Sequence, residues 1–495
     1  MKKINLVLGL SCALSTFHAF AELNTTPQST GVIVTAPLTE QSDVLQIAPA
    51  KAAISTLADA LAAAYINNPD LQQARQELMA KHEKIAQAKA EYLPQIKSQV
   101  SIAGSKMQGS GSAKDTSTSY PSSQRTSTRS GQVTFSQNLF AGGSTAANIL
   151  SVDQSIRATW ADLLSKEQKV FSDVIKGYLD LISKTLKVEV HKANNAAMKK
   201  SYETAFEKHK IGEEPLTQVA NAESKLAKAE ADLRSAEADV IGAKASLFAI
   251  IGAEPSNNLK KPEVPENLPK TLDQTILLAI ENNPDVIKAQ FDHKSAQANI
   301  DKINGKYLPS LDLRAQTKRD EASQRSINAT PYVTNTKLSN NSTNNQVVLE
   351  MSYDLYAGGT YSSQKREAHE TAVAKRIAIE GAKTSVTGNV KSAFETYMAA
   401  KINVGNFNRQ VKAAKIALES TRQEVEVGTK VLLDYLTSQS QLVEAQLNLI
   451  DSEKAYFQSA YQMLSLLGGL HAKAMKLSVQ YFDPAAHYDN ITVGF

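Results

Sequence analysis

One cysteine and one tryptophan occur in 495 residues. Cys12 lies inside an apolar stretch, Ile4 to Phe17, that follows Lys2 and Lys3 and precedes the small-x-small triplet Ala19-Phe20-Ala21. That arrangement reads as a secretory signal peptide over residues 1–21. Its removal takes the only thiol with it, which excludes disulfides, cysteine nucleophiles and thiolate metal sites from the mature chain. A lipid-anchored Cys12 is disfavoured, because Gly9-Leu10-Ser11 lacks the usual aliphatic residue three positions upstream of the cysteine.

Long apolar runs are lacking as well. No later segment offers the ~18 uninterrupted apolar residues of a spanning helix, so a mature chain that enters a membrane does so as strands. Charge of one sign is also scarce: 54 Lys and Arg against 50 Asp and Glu, a formal net charge of +4, leave a nucleic acid no electrostatic footprint. No Gly-Lys-Ser/Thr follows a glycine pair, and the histidines show no HExxH or other ligand spacing. No nucleophile, base and orienting group converge, which points away from an enzyme; no cofactor or metal is expected.

What is present is one unit written twice. TLADALAAAYINNPD, starting at Thr56, recurs as TLDQTILLAIENNPD, starting at Thr271, and Tyr92-Leu93-Pro94 recurs as Tyr307-Leu308-Pro309, both 215 residues on. Ala141-Gly142-Gly143 recurs as Ala357-Gly358-Gly359, and Ile211-Gly212 as Val427-Gly428, both 216 residues on. The organisation expected is a signal peptide (1–21), a flexible N-terminal segment (22–55), repeat 1 (56–252), a Pro-rich linker (253–270), repeat 2 (271–468) and a C-terminal tail (469–495).

Each unit starts as a helix near its threonine and is re-capped at Asn-Asn-Pro-Asp, with Asn68 or Asn283 as N-cap and the proline at the first helical position. After Tyr-Leu-Pro the period drops to two, with Ile96, Val100 and Ile102 alternating with Gln95, Lys97 and Gln99. Strands are expected at 92–103, 131–140, 307–318 and 345–356, joined by Ser/Thr/Asn-rich extracellular loops at 104–130 and 319–344. After each double glycine an apolar residue returns every seven positions, as in Val390, Tyr397, Val404, Val411, Leu418 and Val425, which predicts long supercoiled helices. The glycines Gly142, Gly143, Gly358 and Gly359 mark strand-to-helix turns, with Ser144 or Thr360 expected to cap the helix that follows. Four strands with one apolar face cannot close a membrane barrel, so the chain is expected to oligomerise, two copies giving eight strands and three giving twelve. The final Ile491, Val493 and Phe495 also alternate like the last strand of an outer-membrane barrel, which reads either as an assembly signal or as an accident of composition.

The motif order resembles the TolC family of outer-membrane efflux and secretion channel proteins. The resemblance runs from Thr56 to Leu470 and is strongest in VGTKVLLDYLTSQSQLVEAQLNL, Val427 to Leu449. It implies a mainly helical chain with membrane β-strands, a homotrimer with a 12-stranded barrel, and a 12-helix tunnel across the periplasm. The implied role is a passive exit duct for small-molecule efflux or type I protein secretion, set in outer-membrane lipid. Its implied partners are a periplasmic adaptor (membrane fusion) protein and an energised inner-membrane ABC or RND transporter. The tail FDPAAHY resembles tails of the type I secretion branch.

By the same resemblance, Lys430 matches a latch arginine and Thr217 the position it contacts, while Asp434 matches a carboxylate of the constriction ring. Three copies of Asp434 around an axis would favour cations and raise one another's pKa. Departures from the pattern are Thr437, where a second ring carboxylate belongs, and Val425 and Gln218, where a Tyr-Asp latch belongs. Ile211, Gly212, Glu213, Glu214, Val427, Gly428 and Thr429 fall at the tips that dock an adaptor; Glu213 and Glu214 also stand where they could replace missing gate charge. A bare glycine-capped reversal is the simpler account of those tips. His293 reads as a hydrogen-bonded interface residue and Trp160 as packing. The competing class is a periplasm-spanning coiled coil or surface adhesin, which requires helices but no barrel.

Overall fold

The computed structural model describes residues 54–112, 119–256, 258–265, 268–329 and 333–489. The signal peptide, nearly all of the N-terminal segment and the alternation at 491–495 therefore fall outside the described residues. The two repeats are built alike. Repeat 1 runs α1 (Leu57–Asn67), α2 (Pro69–Lys89), β1 (Gln95–Ser112), β2 (Ser119–Ala141), α3 (Ser144–Lys210) and α4 (Leu216–Ile251). Repeat 2 runs α5 (Leu272–Asn282), α6 (Pro284–Gly305), β3 (Ser310–Ala329), β4 (Val333–Ser352), α7 (Thr360–Glu426) and α8 (Leu432–Leu466), and a short α9 (Pro484–Asp489) lies in the tail. Both long helices, α3 and α7, have 67 residues, ~100 Å at ~1.5 Å per residue. No described helix is long and apolar enough to cross a membrane.

The Asn-Asn-Pro-Asp motif works as an end-to-end joint. Asn68 Oδ1 accepts from Leu71 N at 3.2 Å, capping α2, while its Nδ2 donates to Ile250 O at 3.0 Å, one of the last carbonyls of α4. Asn283 does the same, accepting from Asp285 N at 3.0 Å and donating to Leu466 O of α8 at 3.2 Å. One amide thus satisfies an orphan N–H of a starting helix and a C=O of a finishing one, and so stacks two shorter helices beside one long one. Gly252 and Gly468 make room there, at φ 66° and 75°.

The four strands form one antiparallel sheet in the order β1-β2-β3-β4, whose outer edges, β1 and β4, pair with no other described strand. Its register places Ile96, Phe135, Ala315 and Val347 in one row, so the apolar positions of all four strands share a face. The ladder runs farther than alternation predicts. The tracts expected as loops at 104–130 and 319–344 are largely β-hairpin arms: Lys106 pairs with Arg125 and Arg325 with Lys337. Backbone pairing needs no apolar side chains once the lower rows have set the register, so polar composition alone does not end a strand. At the other end β4 stops at Ser352, short of the 356 expected.

The helix starts also need a correction. The N-caps of α3 and α7 are Gly143 and Gly359, at φ 83° and 80°, and Ser144 and Thr360 are the first helical residues. The reversal demands left-handed backbone at two successive positions, which only glycine adopts freely, so no side-chain cap fits there.

The largest core among the described residues lies where α1, α2, α3 and α4 meet the tail. Leu61, Leu71, Phe171, Tyr178 and Leu247 are fully buried there, and Leu470, Ala472 and Leu477 of the tail join them. The linker is strapped onto this core: Tyr178 Oη donates to Lys260 O at 2.7 Å, with Ser55 O of the N-terminal segment a second, longer acceptor at 3.1 Å, and Tyr461 Oη donates to Glu263 O at 2.8 Å. Burial pushes both phenols up to about 12.

Candidate functional site

The α3–α4 and α7–α8 reversals have the same backbone chemistry. Glu213 N donates to Lys208 O and Gly212 N to His209 O, both at 2.9 Å; Thr429 N donates to Glu424 O at 2.9 Å and Gly428 N to Val425 O at 3.1 Å. This is the double 6→1 and 5→2 closure that a glycine in left-handed conformation allows, with Gly212 at φ 81° and Gly428 at φ 79°. His209 Nδ1 bonds Glu214 O at 2.8 Å, which fixes the first tip further.

The closure leaves apolar side chains in solvent. Ile211 is 70% exposed and Val427 75%, and Leu216 and Val431 stand out beside them. Just behind, Val219 and Ala222 of α4 pack with Leu436 of α8 and with Met198 and Ala205 of α3, so the two tips are held side by side. This unites the candidate docking residues from both repeats on one end of the helical body.

Lys430 takes Glu424 as its partner, Nζ to Oε2 at 2.7 Å across the second turn. The Glu424 hydrogen bond holds the ammonium above the usual lysine range, with Asp434 contributing more weakly. Thr217 stands exposed on α4. Gln218 is half-buried with its Oε1 enclosed and unpartnered, and Val425 is half-buried on α7. Asp434 is exposed in the first turn of α8, where Oδ2 accepts from Val431 N at 3.4 Å and the carboxylate meets the positive end of the helix. Thr437 Oγ1 is turned back onto Leu433 O at 2.8 Å. Glu424 was missed in the sequence, although Glu-x5-Lys across a glycine reversal is a pairing that could have been read.

The strand-to-helix turns differ in their surroundings. Gly142 and Gly358 share φ 62°, but a Cβ on Gly142 would strike the Gly305 carbonyl and Leu308, whereas no described residue lies within 4 Å of one on Gly358. Repeat 1 is seated on repeat 2 at this level, and the equivalent seat of repeat 2 is empty within one chain.

Sequence reasoning also missed the lock on the tail. His82, fully buried on α2, accepts from Trp160 Nε1 at 2.7 Å through Nε2 and meets His487 Nδ1 at 3.2 Å through Nδ1. Tyr488 stands edge-on to both rings and donates to Asp153 at 2.8 Å. Because an indole N–H can only donate, His82 carries its proton on Nδ1. Burial, with His487 adding to it, depresses His82 to about 4. Nearby, Arg75 lies 4.1 Å over the Tyr65 ring, and Phe482 N donates to Tyr65 Oη at 2.9 Å. His293 bonds the Ala372 carbonyl at 3.1 Å, joining α6 to α7. Among the described residues no cluster of three or more His, Cys, Asp or Glu could hold a metal ion.

The family model described as outer membrane efflux protein matches residues 60–253 and 275–469, one match per repeat. The outer membrane efflux protein BepC of Brucella suis is 27% identical over 439 residues, 88% of this chain and 91% of that protein. The outer membrane protein TolC of Vibrio cholerae is 24% identical over 342 residues, 68% of this chain and 76% of that one. Among solved structures, CusC shares the fold with a TM-score of 0.66 at 16% identity, covering 83% of this chain and 92% of its own.

Proposed function

The chain belongs to the outer membrane efflux protein family, and from that premise we propose that three copies close into a passive exit duct through the outer membrane and across the periplasm. The carrying observation is the sheet: four strands, one apolar face and two unpaired edges. Each open edge in lipid would leave a row of backbone N–H and C=O groups without partners, at several kcal/mol apiece, so the sheet is complete only when β4 of one copy pairs with β1 of the next. Twelve strands follow from three copies, and the paired 67-residue helices then line a tunnel. The empty seat at Gly358 supports the same closure, since a second copy's repeat 1 can fill it.

Export, by efflux or by type I secretion, is the role that the family and the fold support. The sequence carries no nucleotide-binding glycine motif, and on this reading the duct serves a tripartite system with a periplasmic adaptor and an inner-membrane ABC or RND transporter. The exposed Ile211, Leu216, Val427 and Val431 at the tips form the adaptor-docking surface. Lys430 is a gate residue that acts through Glu424, and Asp434, repeated three times around the axis, selects for cations.

The deciding experiment is single-channel conductance of the purified protein in a planar bilayer, alongside its mass in detergent. A trimer with small, cation-selective conductance that loses selectivity in Asp434→Ala and rises in Lys430→Ala is expected. Folded, inserted protein with no conductance in any variant would leave a scaffold or adhesin as the better reading.

A further inference from the structure

The two faces of the sheet differ in charge as well as in polarity. The register puts six cations, Lys106, Arg125, Arg129, Arg319, Arg325 and Lys337, on the face of Ile96 and Phe135, against a single acid, Glu321. The opposite face is balanced, with Lys97, Arg314 and Lys318 against Asp312, Asp320 and Glu350. Its charges also pair: among the described residues the ion pairs within the sheet are Arg314–Glu350 at 3.3 Å and Lys318–Asp320 at 3.0 Å, both on that face.

Four of the six cations stand abreast. Lys106 pairs in register with Arg125, Arg125 with Arg325, and Arg325 with Lys337. At ~4.8 Å between strands the row is ~14 Å wide. All four side chains are exposed, and among the described residues a polar contact in that row is Arg325 Nε donating to Asn335 Oδ1 at 3.1 Å. Like charges directly opposite one another on neighbouring strands repel, so this row destabilises the free sheet and calls for an anion from outside.

Its height says which anion. The apolar rows run from Leu311 and Met351 up to the level of Val100, where Arg319 enters, eight residues or ~27 Å along the strand. Tilted at ~40°, that is ~21 Å of membrane, close to the ~25 Å apolar band of an outer-membrane barrel. The four-cation row is six residues farther, ~15 Å above that boundary on the same tilt, on the side away from the helices. It therefore lies in the headgroup layer of the outer leaflet, on the face turned to lipid.

We propose that this face binds the phosphorylated headgroup of the outer leaflet's anionic glycolipid, lipopolysaccharide. Arg125 and Arg325 present planar guanidinium groups to phosphate oxygens, Lys106 and Lys337 flank them, and Arg129 and Arg319 meet the phosphates nearest the acyl chains. Three copies make a girdle of twelve cations at the upper level. The proposal rests on the barrel reading, which turns the apolar face outward.

The test titrates the detergent-solubilised full chain with purified lipopolysaccharide, with the same material after phosphatase treatment, and with inorganic phosphate. The variants are Lys106→Thr/Arg125→Thr/Arg325→Thr/Lys337→Thr and, on the opposite face, Lys97→Thr/Lys318→Thr. The parent is expected to prefer the phosphorylated lipid, with affinity falling as salt rises, and the outer-face variant to bind it at least about tenfold more weakly while the inner-face variant keeps its affinity. Equal affinity in parent and outer-face variant, equal loss in both variants, or full competition by millimolar inorganic phosphate overturns it. Bilayer conductance of the same samples distinguishes loss of lipid recognition from loss of the barrel. A parent that inserts without preferring the phosphorylated lipid removes this proposal alone; a parent that cannot insert removes the barrel and this proposal together.

Discussion

Acid should loosen the C-terminal tail through His82, and the size of the effect can be worked out. A free imidazole titrates at 6.5 and His82 at about 4, so between those values the unfolded chain holds more protons than the folded one. Stability is then complete above pH 6.5 and falls as the pH drops towards 4. A difference of about 2.5 units at 1.36 kcal/mol each bounds the loss at about 3.4 kcal/mol, of which about 2 kcal/mol is already lost at pH 5. Glu167, raised by burial, works in the opposite direction, and Asp59 and Asp180, both lowered, lose their contribution only near their own range. Comparison with His82→Gln cancels all three, because a glutamine amide can accept from the indole and donate to His487 without titrating. The reporter is built in, since Trp160 is the only tryptophan and its N–H donates to His82. Its fluorescence should change with a midpoint well below 6.5 in the parent, and not at all in His82→Gln. A midpoint at or above 6.5, or a transition of equal size in the variant, would refute the assigned network.

Other perturbations separate local from assembly effects. Gly142→Ala should cost several kcal/mol and abolish folding of the chain, since it combines left-handed strain with overlap onto Gly305, whereas Gly143→Ala, with open space around it, should cost about 1 kcal/mol by thermal melting. Gly358→Ala should cost only the left-handed strain of about 1 kcal/mol within the chain and keep its secondary structure by circular dichroism, yet shift the oligomer towards monomer in detergent if the proposed second copy seats there. Asn68→Ala removes a cap and a bond to α4 together and should lower stability by about 2 kcal/mol in denaturant titration, with Asn68→Asp recovering the cap but not the second bond. Ile211→Ser/Val427→Ser should abolish crosslinking to a co-expressed adaptor while conductance stays at the parent level.

Much of the helical part was legible because its signals are local. A capping asparagine followed by proline, a seven-residue apolar period and a glycine after the last helical turn each act within a few residues, and a near-constant offset repeats them, so helix identity and order could be read directly. The strands were legible only where one side is apolar. Above the lipid-facing rows nothing in the composition distinguishes a polar strand from a polar loop, and the ladder's continuation to Ser112 and Ala329 depends on the partner strand being there. At the tips, the sequence supplied Lys430 and Asp434 by likeness, but the partner of Lys430 depends on how tightly the glycine turn folds back.

The repeat, the helices with the asparagine caps of α2 and α6, the glycine turns and the apolar face of the sheet could thus be read along the chain, because each is set by backbone propensity and periodicity over neighbouring residues. What those pieces do to one another was set by packing and strand register. The tertiary structure turned Asn68 and Asn283 into joints between helices some 180 residues apart, brought His487 against His82 across 405 residues, and set four cations from four strands in one row. These are contacts between side chains distant in sequence, and their geometry exists only once packing and strand register have fixed which residues face each other.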